Sequence, residues 1–246
     1  MSENMRERLF PWSEKTIRWY SEASESALNN RDRVLAQNII SASGRNKRLC
    51  DMGCGIGYLS AALSPYAHSV TAADLNEDAV SFLRKMAQTK GLTNITAQAA
   101  DFEELDYSLD YFDTVIMCMF GGIEQYLKKA ALWSAENVIY IMSASRRRAF
   151  SAGEEDNGHQ SIDSVRSFLE AGGLRYDFKT VSTKFGQPFR TFGDAEEFMA
   201  HYDSTSGEAQ IREALQKRLV NISEGEFSLY LPNDKDYAFF TISTKK

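Results

Sequence analysis

Apolar positions in the first 44 residues recur at helical spacing. Ile17, Tyr20, Ala23 and Ala27 form one stripe, started by Pro11 and Ser13. Asn29 and Asn30 interrupt it. Val34, Leu35, Asn38 and Ile39 form a second stripe, which Gly44 suits as a cap. From residue 47 the texture changes. Short apolar runs at 48–52, 69–74, 95–99, 112–119 and 137–142 read as buried strands. Between them, 58–63 begins a helix that Pro65 ends. Residues 76–90 form an amphipathic helix, with Val80, Leu83, Met86 and Ala87 on one face and Gly91 as cap. Strands alternating with helices imply right-handed βαβ crossovers and a doubly wound, mostly parallel α/β sheet. After residue 143 the pattern loosens. Residues 151–160 read as a polar loop, 162–171 as a helix closed by Gly172 and Gly173, and 174–185 as a strand with one exposed face. Helices follow at 194–202 and 208–219, and a last strand at 237–243. No repeat, low-complexity tract or proline-marked linker divides the chain, so one elaborated domain is expected over 1–246.

Composition narrows the partners. Hydrophobic residues make up 43% and charged residues 25%, ordinary for a globular protein, and 246 residues can bury a sizeable core. The net charge of −6 argues against a wide basic face gripping an extended nucleic-acid backbone. Cys50, Cys54 and Cys118 are too few for a disulfide framework and lack partners for a zinc site. The expected compartment is the reducing cytoplasm. Residues 1–8 are charged and lack the apolar stretch of a leader, and no apolar run is long enough to span a bilayer.

The chemistry-bearing segment is Leu49-Cys50-Asp51-Met52-Gly53-Cys54-Gly55-Ile56-Gly57-Tyr58. A strand runs into a glycine-rich turn and then a helix. Glycines there allow close approach of a ligand. The spacing is Gly-x-Gly-x-Gly, and Tyr58 stands where a dinucleotide fingerprint places its third glycine or alanine. Asp51 would repel a pyrophosphate and attract a cationic amino group. Asp74, at the end of the second strand, can accept from both hydroxyls of a ribose, or cap the next helix. Asp101 can accept from an exocyclic amine, with Phe102 as an apolar flank for a purine, or be a solvated loop acid. Amino acid, ribose and adenine, in that order across strand ends, outline S-adenosylmethionine.

Residues 47–142 resemble the class I S-adenosylmethionine-dependent methyltransferases. CDMGCGIGYLSAAL is similar to their first motif, VTAADLN to their second, AADFEEL to their third and FDTVIMCMF to their fourth strand. The resemblance implies a Rossmann-like seven-stranded sheet with the last, antiparallel strand between the fifth and sixth. It implies a helical lid over 1–44, a cofactor-binding core over 45–145, and substrate-side elements with a helical insertion over 146–246. It implies donor contacts from Asp51, Gly53, Cys54, Gly55, Gly57, Asp74, Leu75, Asp101, Phe102 and Cys118, with Tyr20 reaching in from the lid. Because a sulfonium is already a good leaving group, alignment of the reactants can suffice without a dedicated catalytic residue.

The acceptor is less defined. Cys118-Met119-Phe120-Gly121-Gly122 lacks the Asn/Asp-Pro-Pro-Tyr/Phe pattern of methylases acting on base amines and glutamine. With the acidic balance, this favours a small molecule methylated at O, N or S. The alternatives are methylation of a protein or RNA, another transferase using a modified donor, a nicotinamide dehydrogenase, and non-catalytic binding of the donor or its demethylated product. The aromatic cluster Phe10, Trp12, Trp19 and Tyr20 either packs a helix on the core or lids a ligand. Trp19, Phe120, Arg146 and Gln187 are the substrate-side candidates. The run Arg146 to Arg148 reads as a solvated face or an anion site, and the turn around Gln187 as a pocket wall or a packing turn. Cys118 reads as structural. Glu124 is a base or a helix start. His159 and His201 become bases only if their elements fold over the site, and His68 reads as structural. No metal site is expected, since Asp113 stands at the wrong end of its strand. The oligomeric state is open.

Overall fold

The computed structural model describes residues 10–145, 150–152 and 161–245. Its strands are β1 (Arg48–Met52), β2 (Ser69–Asp74), β3 (Ile95–Ala99), β4 (Phe112–Cys118), β5 (Ser134–Ser143), β6 (Tyr176–Lys184), β7 (Gln187–Phe189), β8 (Val220–Glu224), β9 (Phe227–Leu231) and β10 (Asp234–Ser243). Its helices are α1 (Glu14–Glu25), α2 (Arg31–Ser43), α3 (Tyr58–Leu63), α4 (Glu77–Thr89), α5 (Ile123–Trp133), α6 (Ile162–Ala171), α7 (Phe192–Tyr202) and α8 (Glu208–Arg218).

The central sheet has seven strands in the order β3-β2-β1-β4-β5-β10-β6. The first five in that row are parallel, and β10 runs antiparallel to both neighbours. Helices cover both faces, which is why β1 and β4 read as apolar runs rather than alternations. On one face Leu35, Ile39, Leu59 and Leu63 of α2 and α3 pack on Leu49, Ile116, Ile141 and Phe239. On the other, Leu127, Trp133, Val165 and Leu169 of α5 and α6 pack on Met52, Val115, Val138 and Phe240.

Local signals fix the helix ends near the site. Ser13 and Thr16 cap α1 reciprocally, with Ser13 N donating to Thr16 Oγ1 at 2.8 Å. The Asn76 side chain accepts from Ala79 N at 2.9 Å and starts α4. The residues predicted for the apolar face of α4, Val80, Leu83, Met86 and Ala87, are buried.

The segment before β10 differs from the expected helical insertion. It contains α7 and α8, but also a three-stranded antiparallel sheet in the order β7-β9-β8. A three-residue β7 with Pro188 at its centre, and a largely exposed β8, leave little apolar alternation to read. These elements enclose their own core of Phe189, Ala195, Phe198, Met199, Ile211, Leu215 and Leu231, which Trp19 of α1 joins. Among the described residues no helix is long and apolar enough to cross a membrane.

Candidate active site

The carboxyl ends of β3, β2, β1 and β4 lie side by side and carry Asp101, Asp74, Asp51 and Cys118 in that spatial order. The turn after β1 is shaped by Gly53, Gly55 and Gly57, all left-handed, with φ of 68°, 53° and 80°. Only glycine adopts that run of conformations without strain. Gly53 N and Cys54 N donate to Ala73 O at 2.8 and 3.0 Å, which ties the turn to β2. Cys54 is half-buried and burial pushes its thiol well up.

Asp74 secures the same turn. Its carboxylate accepts from Gly55 N at 2.8 Å and from Asn76 N at 3.0 Å. Burial raises its pKa, against the pull of these amides. Leu75 beside it is 39% exposed. Asp51 is buried, and its carboxylate accepts from Ser60 Oγ at 2.5 Å. Burial pushes its pKa up to about 6, although Ser60 and Arg31 pull it down. Asp101 accepts from Glu103 N at 3.0 Å, within its own turn.

Two aromatic residues and one amide stand differently from the sequence expectation. Phe102, expected as the flank of a purine, is buried in the α5-side core, with its ring 5.1 Å from Tyr126 and 5.0 Å from Trp133. Phe120, at 5.7 Å, is a fourth ring of the same group. Trp19, expected toward the substrate, points away from the strand ends and packs on Phe198 at 5.1 Å and His201 at 5.3 Å. One helical position separates it from Tyr20, so the two side chains leave α1 in different directions. Gln187 is only 2% exposed, enclosed in β7, with Nε2 3.4 Å from Pro188 O. Pairing of β7 with β9 holds Gln187 in sheet, while Pro188, Phe189 and Arg190 after it line a small cavity with Trp19, away from the strand ends.

Two rings cover the glycine turn. A Cβ on Gly53 would lie 2.2 Å from Phe120, and one on Gly55 2.5 Å from Trp12. Phe120 gets there because Met119, with φ 54°, reverses the chain directly after β4. A non-glycine residue in that region costs about 1–2 kcal/mol, and Met119 is 44% exposed. Asn76 Nδ2 donates to Trp12 O at 3.4 Å, and Trp12 stacks edge-on to Tyr20 at 5.4 Å. The aromatic cluster of the amino-terminal segment is thus divided. Trp12 and Tyr20 face the strand ends, and Trp19 faces the accessory core.

Sequence reasoning missed Arg31. It opens α2, is 9% exposed, and lies at the end of β4. Its Nε donates to Tyr237 Oη at 2.8 Å, one Nη to the Tyr20 hydroxyl and to Asp32 Oδ1 at 2.7 Å, and the other reaches Cys118 Sγ at 3.9 Å. The guanidinium also stacks near the rings of Tyr20, Phe185 and Tyr237. Burial works against its charge, but the surrounding Tyr20, Tyr237 and Asp32 oxygens outweigh it and raise its pKa further. Burial raises the Cys118 thiol to about 11, as suits a packed rather than a nucleophilic sulfur. The only signal in the sequence was an arginine beside an aspartate at a helix start, which any solvated helix can have.

Asp113 accepts from Arg48 at the opposite end of the sheet. Glu124 is in the first turn of α5. His68 precedes β2, and His201 sits in the last turn of α7 against Trp19. Arg146 to Arg148 and His159 fall outside the described residues. Among the described residues no three His, Cys, Asp or Glu side chains converge as a metal site.

A sheet of this order, with an acid-bearing glycine turn after its first strand, defines the Rossmann-like class I S-adenosylmethionine-dependent methyltransferase fold. The methyltransferase domain family matches residues 43–171, and the chain belongs to that family. Over 75 residues it is 33% identical to the uncharacterized methyltransferase YcgJ of Bacillus subtilis, covering 30% of this chain and 29% of that protein. It is 36% identical over 75 residues to a ubiquinone biosynthesis O-methyltransferase of Coxiella burnetii, covering 30% and 31%. The matched stretch thus spans about three tenths of the length of these curated relatives. Solved structures share the fold. YcgJ of Bacillus subtilis superposes with a TM-score of 0.56 at 16% identity, over 87% of this chain and 98% of that one. A SAM-dependent methyltransferase of Aquifex aeolicus does so with 0.57 at 13%, over 94% and 99%.

Proposed function

We propose that this chain is a methyltransferase that uses S-adenosylmethionine to methylate an O, N or S atom of a small molecule. The observation that carries the reading is the row of acids at the ends of β3, β2 and β1, with the glycine turn between Asp51 and Asp74. The residues fit that donor. Asp51 is a buried carboxylate whose one hydrogen-bond partner among the described residues is a hydroxyl, so a cationic amino group would relieve it. Asp74 presents acceptor oxygens at the strand end for a ribose, and exposed Leu75 lies next to it for a purine face. Asp101 is assigned to the adenine amine. Gly53 and Gly55 let a ligand approach the backbone, with the rings of Phe120 and Trp12 turning aside from the faces they now cover. The donor, when bound, supplies an activated methyl group. The protein then has to hold the acceptor near the end of β4 and keep water out, which the Trp12–Tyr20 wall and the Phe120 ring are placed to do. No general base is assigned.

A small acceptor is supported by the net charge of −6, and the relative named for O-methylation favours oxygen. Calorimetric titration with S-adenosylhomocysteine tests the donor reading: one site is expected, weakened by about 1–3 kcal/mol in Asp74→Ala, which loses an acceptor and unties Gly55. Unchanged affinity in that variant would overturn the assignment. Incubation of the protein with tritiated donor and a fractionated cell extract tests the acceptor. Label in the small-molecule fraction is expected; label confined to protein or RNA would overturn that part of the reading.

A further inference from the structure

The cluster around Arg31 is a donor-rich, largely buried corner whose one carboxylate among the described residues, Asp32, meets a single guanidinium nitrogen. A guanidinium can only donate, so both Tyr20 Oη and Tyr237 Oη act as acceptors toward it. Each phenol therefore keeps its own hydrogen for a further acceptor, and none is found for either among the described residues. Among the described residues the second Nη of Arg31 has only the Cys118 sulfur, at 3.9 Å. Asp32 accepts from the same nitrogen that serves Tyr20. Arg31 and Tyr237 are at least nine-tenths buried, and leaving such donors unmade is costly.

The place of the cluster in the sheet says which ligand meets it. The acids assigned to the donor stand on β1 and β2 and just beyond the end of β3. Cys118 stands on β4, while Tyr237 stands on β10, paired with Ser143 at the end of β5. The guanidinium thus spans from β4 across β5 to β10, on the far side of β4 from the proposed donor row. The rings of Tyr20 and Phe185 beside it, 5.0 Å apart, give the corner an apolar rim.

We infer that Arg31, Tyr20 and Tyr237 bind a carboxylate on the methyl acceptor, which is thus an apolar or aromatic molecule with one compact anionic group. This rests on the proposed methyltransferase reading. The two phenol hydrogens and the N–H groups of the second Nη remain to be used, so a planar carboxylate can be met from several directions at once. Anchoring it past β4 leaves the rest of the acceptor to extend back toward the donor.

The test is done on the full chain saturated with S-adenosylhomocysteine. 4-Hydroxybenzoate and 4-hydroxycinnamate are each titrated against their primary amides, with heat and intrinsic fluorescence as readouts. At least one carboxylate is expected to bind about tenfold or more tighter than its amide. Arg31→Met is expected to abolish that preference, and Arg31→Lys to restore part of it should the first variant fold poorly. Tyr237→Phe keeps the packing and is expected to weaken the carboxylate severalfold with the amide unaffected. Equal binding of acid and amide, or of neither, overturns the inference. So does a tenfold loss of S-adenosylhomocysteine affinity in Arg31→Met and Tyr237→Phe, which would assign the cluster to the donor's own carboxylate. Failure of the wild-type chain to bind S-adenosylhomocysteine at all overturns the methyltransferase reading, and the inference with it.

Discussion

At the scale of single residues, Asp51 shows how a side chain's role follows from its surroundings. The sequence places an acid before the first glycine, and burial raises its pKa to about 6 while Ser60 and Arg31 hold it down. A cationic ligand needs the ionised form. Below pH about 6 the free protein binds a proton there, so affinity for S-adenosylhomocysteine should fall about tenfold per pH unit; above it the affinity should be flat. The stability of the free chain should move the opposite way. An acid raised on folding holds more protons in the folded state, so its contribution falls as pH rises from about 4 to about 6. Titration calorimetry between pH ~5 and ~8 checks the first statement, and an affinity indifferent to pH would refute it. Phe102 and Trp19 show the converse. Both looked available for a ligand, because an aromatic residue has the same letter whether it faces a ligand or a core. Their burial depends on which other rings the fold brings near, and that information lies tens of residues away.

At the scale of elements, periodicity carried the reading far. The strands β1 to β5, the helix α4 and the late helices follow from apolar spacing and from caps at Ser13, Asn76 and the glycines. What it missed were β7, β8 and β9, which are short and partly exposed. The turn between α1 and α2 read as a break, but it is also a clamp. Asn29 Nδ2 donates to Ala23 O at 2.7 Å and Gly186 O at 2.8 Å, and Oδ1 accepts from Gly186 N at 2.8 Å and Tyr230 Oη at 2.6 Å. This joins the amino-terminal helices to the loop before β7 and holds Tyr20 and Phe185 together over Arg31. Asn29→Ala removes four hydrogen bonds at once and should cost about 1–3 kcal/mol. A lowered urea midpoint with an unchanged m-value is the expected result; an unshifted midpoint would show that the clamp contributes nothing.

At the scale of the whole molecule, two kinds of core meet at α1. The central sheet is buried by helices on both faces, while the accessory core around Phe198 is closed by α7, α8 and the small sheet. Phe198 touches Trp19, Phe150, Phe189 and Tyr202 at ring distances of 4.8–5.3 Å. Phe198→Ala should cost about 3–5 kcal/mol. Hydrogen exchange should show amides of α7, α8 and β9 losing protection well before those of β1 and β4; simultaneous loss would mean the cores unfold as one.

By itself the sequence determined the doubly wound sheet, the position of β10 implied by the resemblance, and the row of acids at its strand ends. These are local or periodic features, carried by glycine turns and by spacing that the backbone must obey. Only the tertiary structure decided that Phe120 and Trp12 lie on the glycine turn, that Trp19 and Gln187 are enclosed, and that Arg31 sits between Tyr20, Tyr237 and Cys118. Tyr20 and Tyr237 are 217 positions apart, and no local pattern links them. Their meeting follows from the antiparallel insertion of β10 beside β5, and the cost of burying a charge among them makes that corner the most informative part of the site.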